Sequence, residues 1–432
     1  MSIIEQHAVP ALSAMLDAAR ARTLALAAGL AGEQWLGPRL SIVNPPLWEV
    51  GHLGWFQEYW CLRRKQDGRV SASLMPQADA LYDSAKVPHH LRWDLPLPDV
   101  AATLRYLADV RAALDERLMR DAEDPALQYF AQLCALHEEM HAEALAYTRQ
   151  TLAYPEPVGT TQSVSGGSCA GDVAISGGPF ELGAVDDGHF VFDNEKWAHK
   201  VDVQPFHMSR TTVTNAQFAE FVDAGGYHEQ HWWDEDGWAW RSSEGVTAPL
   251  YWRRAGNVWH RRYFDREEIL PDDEPMIHVN WHEATAWCRW AGRRLPTEAE
   301  WEFAAATVPG MPGIKRRYPW GDTAPAVETA NLYGTAGRCV PVGTCAAGDS
   351  AWGVRQMLGN VWEWTADWFQ PYPGFVRDPY AEYSEPWFHS HQVLKGGSFI
   401  THPRLKYPQY RNFYMPERTD MFCGFRTCAI AS

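Results

Sequence analysis

Three histidines in the first third of the chain have the type and spacing to hold a metal ion. In His137-Glu138-Glu139-Met140-His141 two imidazoles lie four residues apart, which on a helix puts them one turn apart on one face, able to converge on one ion. The same face carries Leu127, Phe130, Cys134, Ala144, Thr148 and Leu152, so the pair interrupts an otherwise core-like stripe. A lone histidine on such a stripe is ordinarily a hydrogen-bonded packing residue; a pair at this spacing favours ligands. A second helical row, Trp48, His52, Phe56 and Tyr59, supplies a third imidazole expected to face the same interior. Three neutral imidazoles from two helices cap one side of an ion and leave the other open. They also leave a divalent ion its full charge, which favours an anionic ligand such as a thiolate or selenolate. The five residues also match HExxH, with Glu138 as the general base of a zinc protease. That motif normally lies beside a sheet with its third ligand downstream, whereas here the surroundings read as a bundle and the third histidine is upstream.

The elements that must position these residues follow from apolar spacing. A chain of 432 residues suits two domains. Apolar residues at three- and four-residue intervals predict helices over 3–30, 47–66, 99–120 and 125–153, an antiparallel four-helix bundle spanning 1–154. Residues 155–171 are rich in Pro, Gly, Ser and Thr and read as a linker. From 172 to 432 short apolar runs alternate with turn signals, and only 214–224 and, with interruptions, 282–306 look helical, which predicts an irregular α+β domain.

With 46% hydrophobic and 21% charged residues and no window of roughly 18 apolar residues, the composition is that of a soluble protein without a membrane span. Residues 1–22 read as an amphipathic helix with Glu5, Asp17 and Arg20 rather than a secretory signal, so a cytoplasmic location is expected. The eight cysteines form no CxxC pair and read as packing residues. A net charge of -16 argues against nucleic acid or anionic membrane as partner and leaves small molecules. The 22 Trp suit recognition of an organic cation.

Pro45-Pro46-Leu47-Trp48-Glu49-Val50-Gly51-His52, Trp55-Phe56-Gln57-Glu58 and His137-Glu138 with His141 resemble the DinB-like domain of EgtB-type sulfoxide synthases of ergothioneine biosynthesis. Phe192-Asp193-Asn194-Glu195, Val213-Thr214-Asn215, the run from Arg294 to Glu302, Gly359-Asn360-Val361-Trp362-Glu363-Trp364, Gly396-Gly397-Ser398 and Gly424-Phe425-Arg426 are similar to the formylglycine-generating-enzyme (FGE-sulfatase) domain, a C-type-lectin-like α+β fold. The second set is specific for a fold that carries several functions. The resemblance implies Fe(II) held by His52, His137 and His141, with dioxygen, a chalcogen donor and hercynine (trimethylhistidine) as partners. Carbon-sulfur bond formation and sulfur oxygenation would then share one centre. It further implies a proton-managing tyrosine, for which Tyr380 is the candidate with Tyr383 in support, both following Pro373-Gly374-Phe375. Tyr410-Arg411-Asn412-Phe413-Tyr414 aligns with the betaine-binding stretch, so Asn412 and Phe413 are expected to meet the quaternary ammonium.

The sequence also departs from that family. Where users of γ-glutamylcysteine have arginines before the turn Asp94-Leu95-Pro96-Leu97, this chain keeps Arg92 but has His89, and their acidic residue after Asn-aromatic is Tyr414. Met140 stands where many members have Gln, and a polarizable thioether tolerates a large chalcogen. A neutral donor fits these changes better, as in the similar SenA-type selenoneine synthases, which take a selenosugar. A thiol donor, cysteine or γ-glutamylcysteine, is the alternative, and a non-catalytic metal- or sugar-binding module is the alternative of another class. Formylglycine formation is disfavoured because 398–414 lacks a cysteine, and ovothiol formation because only six residues follow Arg426.

Overall fold

Apolar spacing and cap residues place the helices of the first half where the sequence predicts them. The computed structural model describes residues 9–65, 67–157, 166–311 and 313–430. Four long helices form the bundle: α1 (Val9–Ala27), α2 (Pro46–Glu58), then, after the short α3 (Ala78–Tyr82), α4 (Val100–Arg120) and α5 (Pro125–Thr151). Residues 1–8 of the expected first helix lie outside the described residues. Asp99 caps α4 by accepting the Ala102 N–H at 2.7 Å; Asp124 caps α5, and Pro125 takes the first helical position, where it loses no bond.

Two expectations need correction. Helix α2 does not continue through 66: it ends at Glu58 and closes with a π-helical turn, Tyr59–Arg63. Helix α5 does not bury one stripe. It packs against both α1 and α2, so Ala131, Leu133, Ala135, Ala142, Leu145 and Ala146 are buried beside Cys134 and His137. A helix in the middle of a layer has two apolar faces, and its small alanines let the neighbours approach. Two of its buried carboxylates survive by pairing with α1: Glu138 with Arg20 at 2.6 Å and Glu139 with Arg22 at 2.5 Å.

Two glycines within α2 sacrifice helix propensity, about 1 kcal/mol each. A Cβ on Gly51 would lie 2.4 Å from the Tyr82 ring, and one on Gly54 2.9 Å from Leu107. Close approach of α3 and α4 to α2 depends on them.

The chain forms two compact units, one of residues 1–158 with 186–190 and the other of 159–185 with 191–432. The expected linker, 155–171, includes 158–165, which lie outside the described residues. The second unit is α+β. Its elements run β1 (Asp172–Ile175), β2 (Gly178–Leu182), β3 (His199–Val203), β4 (Phe206–Ser209), α6 (Asn215–Asp223), α7 (Glu235–Ser243), β5 (Trp252–Ala255), β6 (Val258–Tyr263), β7 (Arg266–Ile269), α8 (Trp281–Trp290), β8 (Arg293–Arg294) and α9 (Glu298–Ala306), then β9 (Trp362–Trp368), β10 (Gln392–Lys395), β11 (Asn412–Tyr414), β12 (Cys423–Gly424) and β13 (Cys428–Ala429). The strands make sheets β1-β4-β13-β8, β11-β10-β9-β12 and β5-β6-β7, with a β2-β3 hairpin. Helix α7 and the three-stranded sheet after it were not expected, although Asp234 caps α7 by accepting the Gly237 N–H at 2.7 Å. The motif residues around Trp301 are scaffold: Glu363 takes Trp301 Nε1 at 2.7 Å and Arg426 at 2.5 Å, all in the interior. No helix of the described residues is long and apolar enough to cross a membrane.

Candidate metal centre

Helices α2 and α5 bring His52, His137 and His141 together, with one ring nitrogen of each within 4.8 Å of the others. Each ring is aimed by its neighbours. His52 Nδ1 lies 2.8 Å from the Tyr82 carbonyl, an acceptor only, so Nδ1 carries the proton and Nε2 offers the lone pair. His141 Nδ1 likewise donates to Glu49 Oε1 at 2.8 Å. The rings are also stacked: His52 between Trp48 at 5.0 Å and Trp55 at 5.7 Å, and His137 on Phe56 at 3.6 Å and 6°. Burial, then the neighbouring imidazoles, hold His137 well below the usual histidine range; burial and His141 do the same for His52, against the Tyr82 carbonyl. Both are neutral and able to ligate at neutral pH.

This donor set fits a metal ion. His137 Nε2 and His141 Nε2 are 3.2 Å apart. Two nitrogens bound to one ion at about 2.1 Å and a right angle lie roughly 3.0 Å apart, whereas two facing lone pairs without a cation repel. The set has no thiolate or carboxylate and suits an ion that keeps open positions.

Glu49 was in the sequence motif but not among the expected site residues. Its signal was a carboxylate on the buried row of α2, one turn before His52, where only a hydrogen-bonding duty makes burial tolerable. Glu138, the HExxH carboxylate, is committed elsewhere, with Oε1 on Arg20 Nε at 2.6 Å and Oε2 on Arg20 Nη2 at 3.2 Å.

Of the donor-site candidates in this unit, Arg92 is buried with its guanidinium 3.8 Å from the Trp48 ring centre, and it donates to Asn44 Oδ1 at 2.6 Å. His89 Nε2 donates to the Val43 carbonyl at 2.8 Å, and Met140 is half-buried on α5 beside His141. The remaining candidates belong to the second unit, which gathers them. Phe413, on β11, stacks on Phe369 at 4.1 Å and meets the Tyr383 ring edge-on at 5.9 Å; Tyr380 and Tyr383 are 6.0 Å apart. Asn412 Oδ1 accepts the Phe413 N–H at 2.9 Å, and Arg418 lies 5.4 Å from the Tyr414 ring. Burial pushes the Tyr380 and Tyr383 phenols up, so both are protonated at neutral pH.

Residues 15–145 match the DinB superfamily, and residues 158–431 match the sulfatase-modifying factor enzyme 1-like domain. The chain is 41% identical to a hercynine oxygenase of Mycolicibacterium thermoresistibile, over 89% of this chain and 87% of that protein. It is 40% identical to the hercynine oxygenase of Mycolicibacterium smegmatis, over 89% and 91%. A formylglycine-generating enzyme of Streptomyces coelicolor is 34% identical over 54% of this chain and 80% of its own length. A helical domain that converges three imidazoles, joined to an α+β domain of this kind and matched nearly end to end by such relatives, makes the chain a member of the EgtB-type family of hercynine oxygenases.

Proposed function

We propose that this protein is a non-haem iron oxidoreductase that uses dioxygen to join selenium or sulfur to the imidazole carbon of hercynine, most simply from a selenosugar donor. The observation that carries the reading is the convergence of the His52, His137 and His141 imidazoles, with His137 Nε2 and His141 Nε2 3.2 Å apart. The hercynine oxygenases at about 40% identity support the substrate and the reaction class. His52, His137 and His141 would hold Fe(II), and the bound iron would supply the place where dioxygen and the chalcogen anion meet the imidazole. The domain partition that goes with this reading is 1–154, 155–171 and 172–432.

The chain's own residues would bind, orient and move a proton. Tyr82 and Glu49 fix two imidazoles with Nε2 inward. Phe413 would offer an aromatic face, and Asn412 a polar edge, to the trimethylammonium group, which carries no N–H. The protonated Tyr380 phenol would deliver or hold a proton, with Tyr383 beside it. For the donor, His89 donates to a backbone carbonyl and Arg92 to Asn44, with no arginine at the first clamp position and no acid at Tyr414. A γ-glutamylcysteine carboxylate entering such a site loses hydration without a dedicated partner, a cost of several kcal/mol. A sugar chalcogenolate avoids that cost.

The thiol-using alternative is kept by the breadth of the match to the hercynine oxygenases. Anaerobic Fe(II) loading followed by oxygen uptake with hercynine and each donor separates the two. The expected result is a kcat/KM for the selenosugar, or its thiosugar analogue, at least about a hundredfold above that for γ-glutamylcysteine. Equal values, or a preference for the peptide, make this a thiol-using enzyme.

A further inference from the structure

The connection from β9 to β10 carries both candidate tyrosines, and one buried carboxylate holds the segment on either side of them. Asp193 Oδ2 accepts the Asp378 backbone N–H at 3.3 Å, and Asp193 Oδ1 accepts the Ser384 hydroxyl at 2.5 Å. Both chain neighbours of Asp193, which opens a 3-10 turn, reinforce this tie: Asn194 Nδ2 donates to Ser384 Oγ at 3.1 Å, and Phe192, just before the turn, stacks on Tyr383 at 4.5 Å. Lys196 Nζ then bonds both oxygens of Asp378, at 2.9 and 2.7 Å. Asp193, Asn194 and Ser384 are buried, so water does not compete for these bonds. Inside the held segment the Tyr383 N–H closes back on the Tyr380 carbonyl at 3.2 Å, and the Tyr383 hydroxyl lies 3.3 Å from that of Tyr410.

A carboxylate withdrawn from water at a cost of several kcal/mol and met by loop donors at two points fixes where that loop stands. We propose that Asp193 is a positioning residue for Tyr380: by accepting from Asp378 and Ser384 at once, it sets the place from which the Tyr380 phenol serves the reacting group. The inference rests on the reading of Tyr380 as the proton-managing residue. It needs both oxygens of Asp193, because an amide in their place turns an N–H₂ toward one of the two donors.

Four variants test it in the iron-loaded enzyme: Asp193→Asn, the milder Ser384→Ala, Tyr380→Phe, and Asp193→Asn combined with Tyr380→Phe. Amide hydrogen exchange is followed over 376–386, and kcat and hercynine KM are measured separately. In Asp193→Asn and Ser384→Ala the Asp378 and Tyr383 amides should exchange about tenfold faster or more, with the exchange of α9 and β9 unchanged. The kcat should fall by about tenfold or more while hercynine KM stays within roughly threefold, since β11 is held by β10 and not by Asp193. The double variant should be no slower than Tyr380→Phe alone, because a residue that acts only through Tyr380 has nothing left to position. Losses that multiply in the double variant, or a kcat within about twofold of wild type in Asp193→Asn, would overturn the proposal. If the wild-type enzyme shows no oxygen-dependent turnover, the functional reading falls, and unchanged exchange of the Asp378 and Tyr383 amides in both Asp193→Asn and Ser384→Ala would then refute Asp193's hold on the segment.

Discussion

Replacing Glu49 by Gln separates what its carboxylate does for a metal from what it does for the fold. Glu49 is 1% exposed, its Oε1 accepts the His141 Nδ1–H, and its Oε2 has no hydrogen-bond partner among the described residues. A hydrogen bond to a charged group is worth about 1.5–3 kcal/mol net and a neutral one about 0.5–1.5, so the exchange removes roughly 1–1.5 kcal/mol from the support of His141. If that support is drawn on when the imidazole gives its Nε2 pair to a cation, the metal Kd rises about tenfold in Glu49→Gln. Glu49→Ala, which leaves no acceptor, should reach the upper part of the roughly 10–100-fold range usual for partners of metal-bound histidines.

The metal-free protein should respond in the opposite direction. A buried charge with one unmet oxygen becomes a neutral amide, so the apo form keeps or gains stability. The assay is anaerobic Fe(II) titration against a competing chelator, repeated with Co(II), alongside apo unfolding in denaturant. His141→Ala, which removes the ligand itself, sets the scale. Metal affinity within about twofold of wild type in Glu49→Gln, or an apo protein weakened by more than about 2 kcal/mol, would show that Glu49 serves the fold rather than the ion.

Two further substitutions probe the rest of the frame. Glu138→Gln breaks the paired bonds to Arg20, so the protein should lose about 1–3 kcal/mol while metal binding and turnover persist; retained metal with no turnover would restore Glu138 as a general base. Glu195 is buried, and burial raises its carboxyl to about 8 against the pull of Lys395, Arg411 and Lys406, with Glu302 adding to the rise. The folded state therefore holds a proton that the unfolded chain releases near 4.5, so the stability this group confers is complete below that pH and is lost as pH rises toward 8. Glu195→Gln should flatten the decline in unfolding free energy between about pH 4.5 and about pH 8, and curves that stay parallel to wild type there would refute the assignment.

The convergence of the three histidines was legible because helix periodicity is a short-range rule: His137 and His141 lie one turn apart, and His52 on the buried row of α2. Their supports were less legible. The acceptor for His52 is the Tyr82 carbonyl, a backbone atom, and it reaches the ring because Gly51 lets α3 approach α2. A Gly inside a predicted helix signals such an approach without naming the neighbour. The stripe on α5 was drawn too narrow for a related reason: one sequence shows a helix's pattern but not how many neighbours it has. In the second half, α7 was missed because Asp234-Glu235-Asp236-Gly237 reads as a turn until Asp234 is recognised as a cap. The ties between Asp193 and the tyrosine segment join residues far apart in the chain, which no local rule reaches.

The charges around the triad bear on which anion it would accept. Three imidazoles as ligands would leave a divalent ion its charge, and a charged group of each sign touches their surroundings: the Glu49 carboxylate on His141 and the Arg92 guanidinium over Trp48, which itself stacks on His52 at 5.0 Å and 8°. Burial lowers Arg92 to about 10, partly offset by Glu49, so it stays charged at neutral pH. Its Nη1 donates to Asn44 and its face covers Trp48, so its charge is felt through space more than offered as a fork to a carboxylate. With an ion held as proposed, a cation behind one imidazole and a single carboxylate engaged by another would together favour one compact, soft anion at the metal. They offer little to a donor that brings two more carboxylates and an ammonium. On the proposed reading the donor class would follow from where the charges are spent, and the ratio of kcat/KM between a sugar chalcogenolate and γ-glutamylcysteine tests it.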